Sequence, residues 1–488
     1  MTERITSLMY AIRFPVVFKY TAQLTLVQAG LILLPFCVAL FYAEYTLALR
    51  YFAMSGLLTL MALPFLRLSV PGRIQTNEAF IITVITFLMG AAVMVYPFMG
   101  TELAFLDALF EAVSGITTTG LSTVTELESK PKSFLFARAW MQWYGGLGFV
   151  VLAIALMMGQ PSAYRRLLGQ EVEHEEIIVG IRSHARQVTW VYLLLTVFAT
   201  LLLYLWGVDG FTAIVHVLSA VSTGGFSSFN NNLAGFDSWS IELIVSLTGL
   251  LGAISFPLYY RLYQQGFSKL LSVTETYALF FLILGVAVAL MLILSITGGL
   301  DYLTSLQQAL LLAISAQTTT GFSSLNSALL DPLVLGVLIF SMAVGGDIGS
   351  TAGGFKVLRF LILLRLMHDT IQRTATAEHA VCEPQLAAKA ISPEEISSVL
   401  SLLGWFIVLI FASWLPFIAL GYPPLNALFE VVSATATVGL SAGVTQAGLQ
   451  PALKLILCID MLAGRLEMIA LLVFLYPKTW FGRRIEVK

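Results

Sequence analysis

The chain has 488 residues, of which 58% are hydrophobic and only 11% are charged, and its formal net charge is −2. Soluble domains carry about 25% charged residues, so the composition excludes an ordinary soluble protein. It indicates a polytopic α-helical membrane protein in contact with membrane lipid. The near-neutral charge gives no sign of a nucleic-acid partner.

Ten apolar runs along the chain are candidates to cross a bilayer, which takes about 20 residues in a helix. The first two stand apart, and the other eight form four pairs. The runs are 21–43, 51–70, 78–98, 136–158, 189–209, 238–262, 275–297, 332–365, 397–420 and 452–476.

Four copies of one short phrase lie between the paired runs. Its frame is S-x-x-x-T-x-G-(L/F)-S, and the copies open at Ser114, Ser219, Ser315 and Ser433. An apolar segment of about ten residues precedes each copy, too short to span a bilayer but suited to a re-entrant half-helix. The predicted fold is therefore an all-α polytopic membrane protein. It has four pseudo-symmetric span–pore-helix–span repeats around a central pore and two N-terminal spans.

The repeats give predicted domain boundaries. The list is 1–72 for the two N-terminal transmembrane helices, 73–165 for pore repeat one, 166–270 for repeat two, 271–380 for repeat three and 381–488 for repeat four.

The phrases are candidates for a cation filter. Glycine allows close backbone approach, and rings of backbone carbonyls replace the hydration shell of an ion in known filters. Small residues that only pack helices are the alternative, but four copies in register favour the filter. The candidate residues are Thr117, Thr118, Thr119, Gly120, Ser222, Thr223, Gly224, Gly225, Thr318, Thr319, Thr320, Gly321, Ala436, Thr437, Val438 and Gly439.

A glycine-rich stretch, G-G-D-I-G-S-T-A-G-G-F-K at 345–356, interrupts the second span of repeat three. Glycines and polar residues weaken a helix, and no G-K-(S/T) follows, so this is not a phosphate loop. A structural kink is one reading, and a gate below the filter is the other. The candidate gate residues are Gly345, Gly346, Asp347, Gly349, Ser350, Thr351, Gly353, Gly354, Lys356 and Arg465.

Arg465 belongs to that set because it lies in the middle of the last apolar run. A charge at membrane depth is costly and faces a cavity or a partner. A structural ion pair and a cationic constriction beneath the filter are both open. The candidate counter-charges are Asp347, Asp460 and Glu467.

Glu111 and Glu430 occupy matching positions three residues before the phrase serine, and His216 and Leu312 occupy the other two. The carboxylates could hold the filter backbone or attract cations, and the sequence does not separate these roles. His216 is more often a buried structural histidine than a ligand.

The placement of Lys and Arg predicts the orientation. With a cytoplasmic N-terminus, the inner face collects 19 of these residues and the outer face five, and the phrases then lie toward the outside. Both termini are expected in the cytoplasm. The five outer residues are Arg50, Lys130, Lys132, Arg138 and Lys454.

Together, the four phrases, G-G-D-I-G-S-T-A-G-G-F-K-V, L-A-G-R-L-E-M and W-M-Q-W-Y-G-G-L-G-F resemble the Trk/Ktr/HKT superfamily of potassium transporters. The two extra N-terminal spans resemble its TrkH/TrkG branch. The resemblance implies potassium coordination by the filter carbonyls and a gate formed by the glycine-rich loop with Arg465. It also implies a homodimer in a bacterial inner membrane.

The resemblance further implies a cytoplasmic, nucleotide-binding regulatory subunit of the TrkA kind, with no nucleotide bound by this chain. All four filter glycines are present, which favours potassium over sodium, although Gly224 and Val438 replace the threonine of the other copies.

Two other functions remain as alternatives. A sodium- or proton-coupled symporter with alternating access would be supported by inverted repeats, but these repeats run in one direction. A polytopic membrane enzyme would need a nucleophile–base pair, and none stands out. The stretch G-G-L-G at 145–148 lacks the third glycine and follows no strand, so it is not a dinucleotide site.

Overall fold

The structure is a computed structural model that describes residues 11–70, 74–158, 177–266, 273–297, 301–325, 329–375, 384–387 and 389–481. All four predicted domain boundaries, after residues 72, 165, 270 and 380, fall outside these ranges.

Most of the described residues are helical, and few are in strands. A small antiparallel hairpin pairs Gln385 with Ala390. The elements are α1 (Phe14–Phe41), α2 (Tyr45–Leu66), α3 (Thr76–Phe98), α4 (Phe105–Ile116), α5 (Lys132–Met158), α6 (Ile177–Leu205), α7 (Gly210–Val221), α8 (Trp239–Ala253), α9 (Phe256–Gln265), α10 (Thr274–Thr297), α11 (Tyr302–Gln317), α12 (Pro332–Val344), α13 (Val357–Arg373), β1 (Gln385–Leu386), β2 (Lys389–Ala390), α14 (Pro393–Ala419), α15 (Pro424–Thr435), α16 (Pro451–Arg465), α17 (Ile469–Leu475) and α18 (Pro477–Phe481).

Helices α1, α2, α3, α6, α10 and α14 are long and apolar enough to cross a bilayer. The four short helices that precede the phrases, here named the pore helices, are α4, α7, α11 and α15. Each starts close to its predicted position and runs two residues beyond the phrase serine. Aspartates cap the N-termini of α7 and α11, where Asp209 accepts from Thr212 N at 3.1 Å and Asp301 accepts from Thr304 N at 3.4 Å.

The second span of a repeat is continuous only in repeat one, as α5. The apolar runs 238–262 and 452–476 each contain two helices. The first bends by 87° between α8 and α9, and the second breaks between α16 and α17, where Glu467 and Met468 have φ of 54° and 55°. The break between α12 and α13 falls at the glycine-rich stretch, as predicted.

The repeats pack in cyclic order. Each second span contacts the pore helix of the next repeat, in the pairs α5 with α7, α8 with α11, α12 with α15, and α16 with α4. The last pair returns to repeat one, so the contacts close a ring around one axis. Helices α1 and α2 pack on each other outside this ring, and α1 also contacts α3 and α5.

Glycines let the second spans approach the pore helices closely. A β-carbon on Gly145 would overlap the carbonyl oxygen of Ile116, and one on Gly464 would overlap that of Thr435. In repeat two the glycine in this role is Gly252, against Val221. These carbonyls are the last of their pore helices.

We expect Gly145→Ala and Gly464→Ala to destabilise the folded protein by about 1–3 kcal/mol, because the added methyl group meets backbone that cannot move aside. Thermal unfolding of the purified protein in detergent, followed by size-exclusion chromatography, measures the effect. The matched control is Gly285→Ala in α10, where nothing lies near the added carbon and helix propensity favours alanine by about 1 kcal/mol. Equal stability of all three variants would contradict this packing.

Candidate functional site

The four pore helices end in the same backbone motif. In repeat one the N–H of Thr119 donates to Ser114 O at 3.0 Å and the N–H of Thr118 to Gly115 O at 3.1 Å, which is a Schellman motif. The equivalent bonds recur in the other three repeats. The residue in the left-handed region is a threonine each time, with φ of 55° at Thr118, 51° at Thr223, 55° at Thr319 and 50° at Thr437.

Threonine is an unusual choice there, because a branched side chain in the left-handed region costs about 1–2 kcal/mol per residue. Glycine is the usual residue at this point of a helix end. Strained backbone that persists in all four repeats marks a site where conformation matters for function. The four threonines are therefore the first structural sign that the phrases form one site.

The glycines of the four phrases bring the phrases into one ring. A β-carbon on Gly120 would overlap the carbonyl oxygen of Gly224, and one on Gly225 would overlap that of Thr320. The series continues from Gly321 to the oxygen of Val438 and returns from Gly439 to that of Thr119. Each phrase thus lies against the next through one carbonyl oxygen. All sixteen predicted filter residues meet in this ring, buried except for half-buried Gly120 and Gly439.

Side-chain hydroxyls divide the ring into two kinds of repeat. Thr117 and Thr119 share a hydrogen bond of 2.8 Å between their hydroxyls, and Thr318 and Thr320 share one of 2.5 Å. In repeats two and four, Gly224 and Val438 cannot form this bond. Repeats one and three lie opposite each other in the cyclic order, so the side chains have approximate two-fold symmetry.

Two buried hydroxyls in the ring are unsatisfied. Within the described part of the chain, the buried hydroxyl oxygens of Thr118 and Thr437 have no hydrogen-bond partner. A buried polar group without a partner is costly. Oxygens placed in this way could coordinate a hard monovalent cation together with the carbonyls, so the residues present fit such an ion.

Glu111 holds the chain that follows the first phrase. Its Oε1 accepts from the hydroxyl of Ser122 at 2.6 Å and from Thr123 N at 3.0 Å. Its Oε2 forms a buried ion pair of 2.8 Å with Arg138 Nε. Arg138 also donates to Ser227 O in repeat two at 3.3 Å and stacks on a phenylalanine of that loop.

His216 and Glu430 play matching roles. His216 Nε2 lies 3.0 Å from the hydroxyl of Ser227, and Glu430 Oε1 accepts from Ser441 at 2.6 Å. Ser122, Ser227 and Ser441 are all the closing serine of the phrase. The structure therefore supports the structural role for these side chains, since each is fully buried and held by the loop.

The glycine-rich stretch lies against the ring and has no helix from 345 to 356. Its Gly353 N donates to the hydroxyl of Thr319 at 2.6 Å, and Gly354 N donates to Ala436 O at 3.0 Å. These bonds attach the loop to the phrases of repeats three and four.

The same loop also reaches repeat two. The hydroxyl of Thr351 donates to Val221 O at 3.1 Å, at the end of pore helix α7. Gln317, the last residue of α11, donates from Nε2 to Gly345 O at 2.6 Å. Every predicted gate residue is buried except Gly349 and Gly354, which are half-buried.

Arg465 completes the connection to repeat one. Its Nη1 donates to Thr351 O at 2.7 Å, and its Nη2 donates to Gly146 O at 3.3 Å. The side chain is only 2% exposed. Its hydrogen bonds therefore join the loop of repeat three and the span of repeat one to its own repeat four.

The candidate counter-charges of Arg465 bind other groups. The carboxylate of Asp347 accepts from Thr276 at 2.8 Å, and that of Asp460 accepts from Ser413 at 2.6 Å. Glu467 forms an ion pair of 2.7 Å with Arg359. Backbone carbonyls are thus the observed acceptors around Arg465.

Three further site residues were missed from the sequence. Arg138 and Lys454 were counted as outer-loop cations, but both are buried, and Lys454 pairs with Asp107 at 2.5 Å. Gln142 lies one turn after Arg138 in α5 and binds the phrase of repeat two. Polar residues spaced by four in an apolar run were the available signal.

These features define the class of the molecule as a multi-pass helical membrane protein whose repeats meet around one axis. The chain belongs to the TrkH family of cation transport proteins, whose sequence model matches residues 52–480. The recognition of this family and the all-α membrane fold are thereby confirmed. A transporter family is also not an enzyme family, so the alternative of a membrane enzyme is dismissed.

Similar proteins support the same family. The Trk system potassium uptake protein TrkH of Salmonella typhimurium is 30% identical, with 96% of this chain and 99% of that protein covered. The Escherichia coli potassium uptake protein TrkG is 28% identical, with 91% and 94% covered. The crystal structure of the potassium transporter TrkH from Vibrio parahaemolyticus matches with a TM-score of 0.86 at 26% identity, covering 96% of this chain and all of that one.

We expect Glu111→Gln to destabilise the protein by about 3 kcal/mol, because it leaves Arg138 as a buried charge without its carboxylate. Glu430→Gln is the matched control. Its contacts are hydroxyls and backbone N–H groups, which an amide can partly satisfy, so it should cost about 1 kcal/mol. Thermal unfolding in detergent compares the stability of the two variants. An equal loss of stability would show that the ion pair with Arg138 does not stabilise the protein more than the hydrogen bonds of Glu430 do.

Proposed function

We propose that this protein takes up potassium through the ring formed by the four phrases. The observation that carries the proposal is the closed succession of filter glycines against the carbonyl oxygens of the next repeat. The names of the relatives as potassium uptake proteins agree with it. The ion is the cargo of this site.

In this proposal the carbonyls of the sixteen filter residues and the unsatisfied threonine hydroxyls replace the hydration shell of the ion. Oxygen ligands suit a hard monovalent cation, and the number and field of the carbonyl dipoles contribute to selectivity. The C-terminal ends of the four pore helices add a negative dipole potential near the ring. The buried carboxylates Glu111 and Glu430 shape the loops and do not bind the ion directly.

The loop at 345–356 and Arg465 form the gate in the same proposal. The bonds from the loop to Val221, Thr319 and Ala436 support this assignment, because they attach it to three of the four repeats at the ends of their pore helices. Arg465 adds a positive charge where a cation must pass. Opening requires these bonds to break together, because they share one short segment.

The setting of the protein is also a proposal. It lies in a bacterial inner membrane with both termini in the cytoplasm, as a homodimer in contact with lipid. A cytoplasmic nucleotide-binding subunit of the TrkA kind regulates it, and this chain itself binds no nucleotide. The excess of Lys and Arg on the proposed inner face supports the orientation.

Rubidium-86 uptake into liposomes that hold the purified protein tests the function. Excess potassium should block uptake and sodium should not. A protonophore arm separates the two transport modes, since uptake that depends on a proton gradient would favour the symporter alternative. If no uptake is seen with or without a TrkA-like subunit, the proposal is wrong.

We expect Gly321→Ser to lower the preference for potassium over sodium by about tenfold. The side chain would overlap Val438 O at a residue with φ of 75°, so the ring must widen at that junction. Competition of sodium and potassium against rubidium uptake measures the ratio. Gly336→Ala in α12, where the added carbon meets nothing, is the control that should leave the ratio unchanged.

We expect Arg465→Ala to raise rubidium flux about tenfold or more, because a charge-assisted hydrogen bond to the loop contributes about 1.5–3 kcal/mol and about 1.4 kcal/mol corresponds to a factor of ten. Arg13→Ala, which removes a half-buried arginine and its ion pair with Glu78 in a different part of the molecule, is the matched control and should not raise flux. If the Arg465→Ala protein folds and its rubidium flux is lower than that of the unmodified protein, Arg465 is not part of a gate.

A further inference from the structure

We propose that Gln142 is a positioning residue for the filter loop of repeat two, and that it acts with Gly224 to set ion selectivity at the junction between repeats one and two. The inference rests on the proposed function, since it assigns a role within that filter. The two residues come from different repeats, 82 positions apart in the chain.

Both ends of the Gln142 amide bind the backbone of the second phrase. Nε2 donates to Gly224 O at 2.6 Å, and Oε1 accepts from Phe226 N at 3.1 Å. The side chain is fully buried, so its orientation is fixed by these two bonds. Gly224 O is the oxygen of repeat two that lies against Gly120 in the ring. The amide therefore acts on a carbonyl of the filter.

Gly224 departs from the threonine of repeats one and three because Gln142 fills the space of a side chain. A β-carbon on Gly224 would overlap the amide carbon of Gln142 and lie 2.8 Å from its nitrogen. A large residue at 142 and a glycine at 224 are thus complementary. The neighbouring junction tests this idea within the same molecule.

The junction between repeats two and three has the opposite arrangement. Gly145 in α5 and Gly252 in α8 occupy equivalent positions, since each lies against the last carbonyl of a pore helix. Gln142 and Gly249 each lie three residues before these glycines, so Gly249 is the counterpart of Gln142. A β-carbon on Gly249 would lie 2.7 Å from the hydroxyl of Thr320. The small residue is now in the span and the large one in the phrase.

The two junctions therefore differ in which groups bind the ring oxygens. In repeat three the hydroxyl of Thr320 bonds Thr318 of its own loop, whereas in repeat two a donor from another repeat bonds the ring oxygen itself. A carbonyl oxygen has two lone pairs, so Gly224 O keeps one for an ion while the amide fixes its position. Since selectivity depends on the geometry and field of the carbonyls, Gln142 should affect which cation passes.

The first test replaces Gln142 by methionine, which keeps the length of the side chain but makes neither hydrogen bond. We expect the potassium-over-sodium ratio in rubidium competition to fall about fivefold to tenfold, the effect of one net hydrogen bond. Gln28→Met is the matched control, because buried Gln28 also donates to a backbone carbonyl, that of Thr86 at 2.9 Å, away from the ring. Its ratio should not change.

The second test gives the junction between repeats one and two the residue types of the junction between repeats two and three, glycine in the span and threonine in the phrase. Gly224→Thr alone should abolish uptake, because threonine overlaps Gln142, and the double variant Gln142→Gly with Gly224→Thr should restore uptake to within about threefold of the unmodified protein. Folded yield is measured for each by size-exclusion chromatography. Restored uptake supports the complementarity, and a double variant no better than Gly224→Thr overturns it.

The unmodified protein separates this inference from the proposed function. If its rubidium uptake is not blocked by potassium, the proposed function itself fails. If it is selective and a folded Gln142→Met protein transports with the same ratio, only the role of Gln142 is overturned. A purely structural role would lower yield or stability and leave the ratio unchanged.

Discussion

The constraint on which this structure depends is that backbone polar groups at membrane depth must be satisfied within the protein. Four phrase loops and the glycine-rich loop have no regular helix and need such partners. The pore-helix ends use Schellman bonds, while the glycine-rich loop gives N–H groups to Thr319 and Ala436 of the ring. The closed ring and the attached loop therefore draw on the same polar groups, which is why the site and the fold cannot be separated.

The backbone of the ring has four-fold pseudosymmetry, but its side chains do not. The left-handed threonines and the following glycines recur in every repeat. The hydroxyl pairs occur only in repeats one and three, and repeat two relies on a donor from α5. A duplicated backbone can keep its geometry while the surrounding side chains diverge, provided that each junction between repeats still fills its space.

Much of this arrangement could be predicted from the sequence. The repeated phrase, the short pore helices and the glycine-rich break were all visible in the pattern. The bend after Ala253 and the break at Glu467 were missed because no glycine run marks them, although Pro257 lies in the first turn of α9. The roles of Arg138 and Gln142 depend on contacts between repeats, and a periodic pattern along one chain does not contain such contacts.

The breaks in the second spans lie beside the glycine-rich loop. Among the described residues only repeat one keeps an unbroken second span, and that helix carries the side chains that hold the phrase of repeat two. Repeats two, three and four all turn near the loop, and Phe256 N at the bend of repeat two donates to Gly349 O of that loop at 3.0 Å. Helix ends expose polar groups, so these breaks supply the partners that a buried loop needs. One continuous span therefore stands beside three broken ones, and the helix ends at those breaks contact the glycine-rich loop.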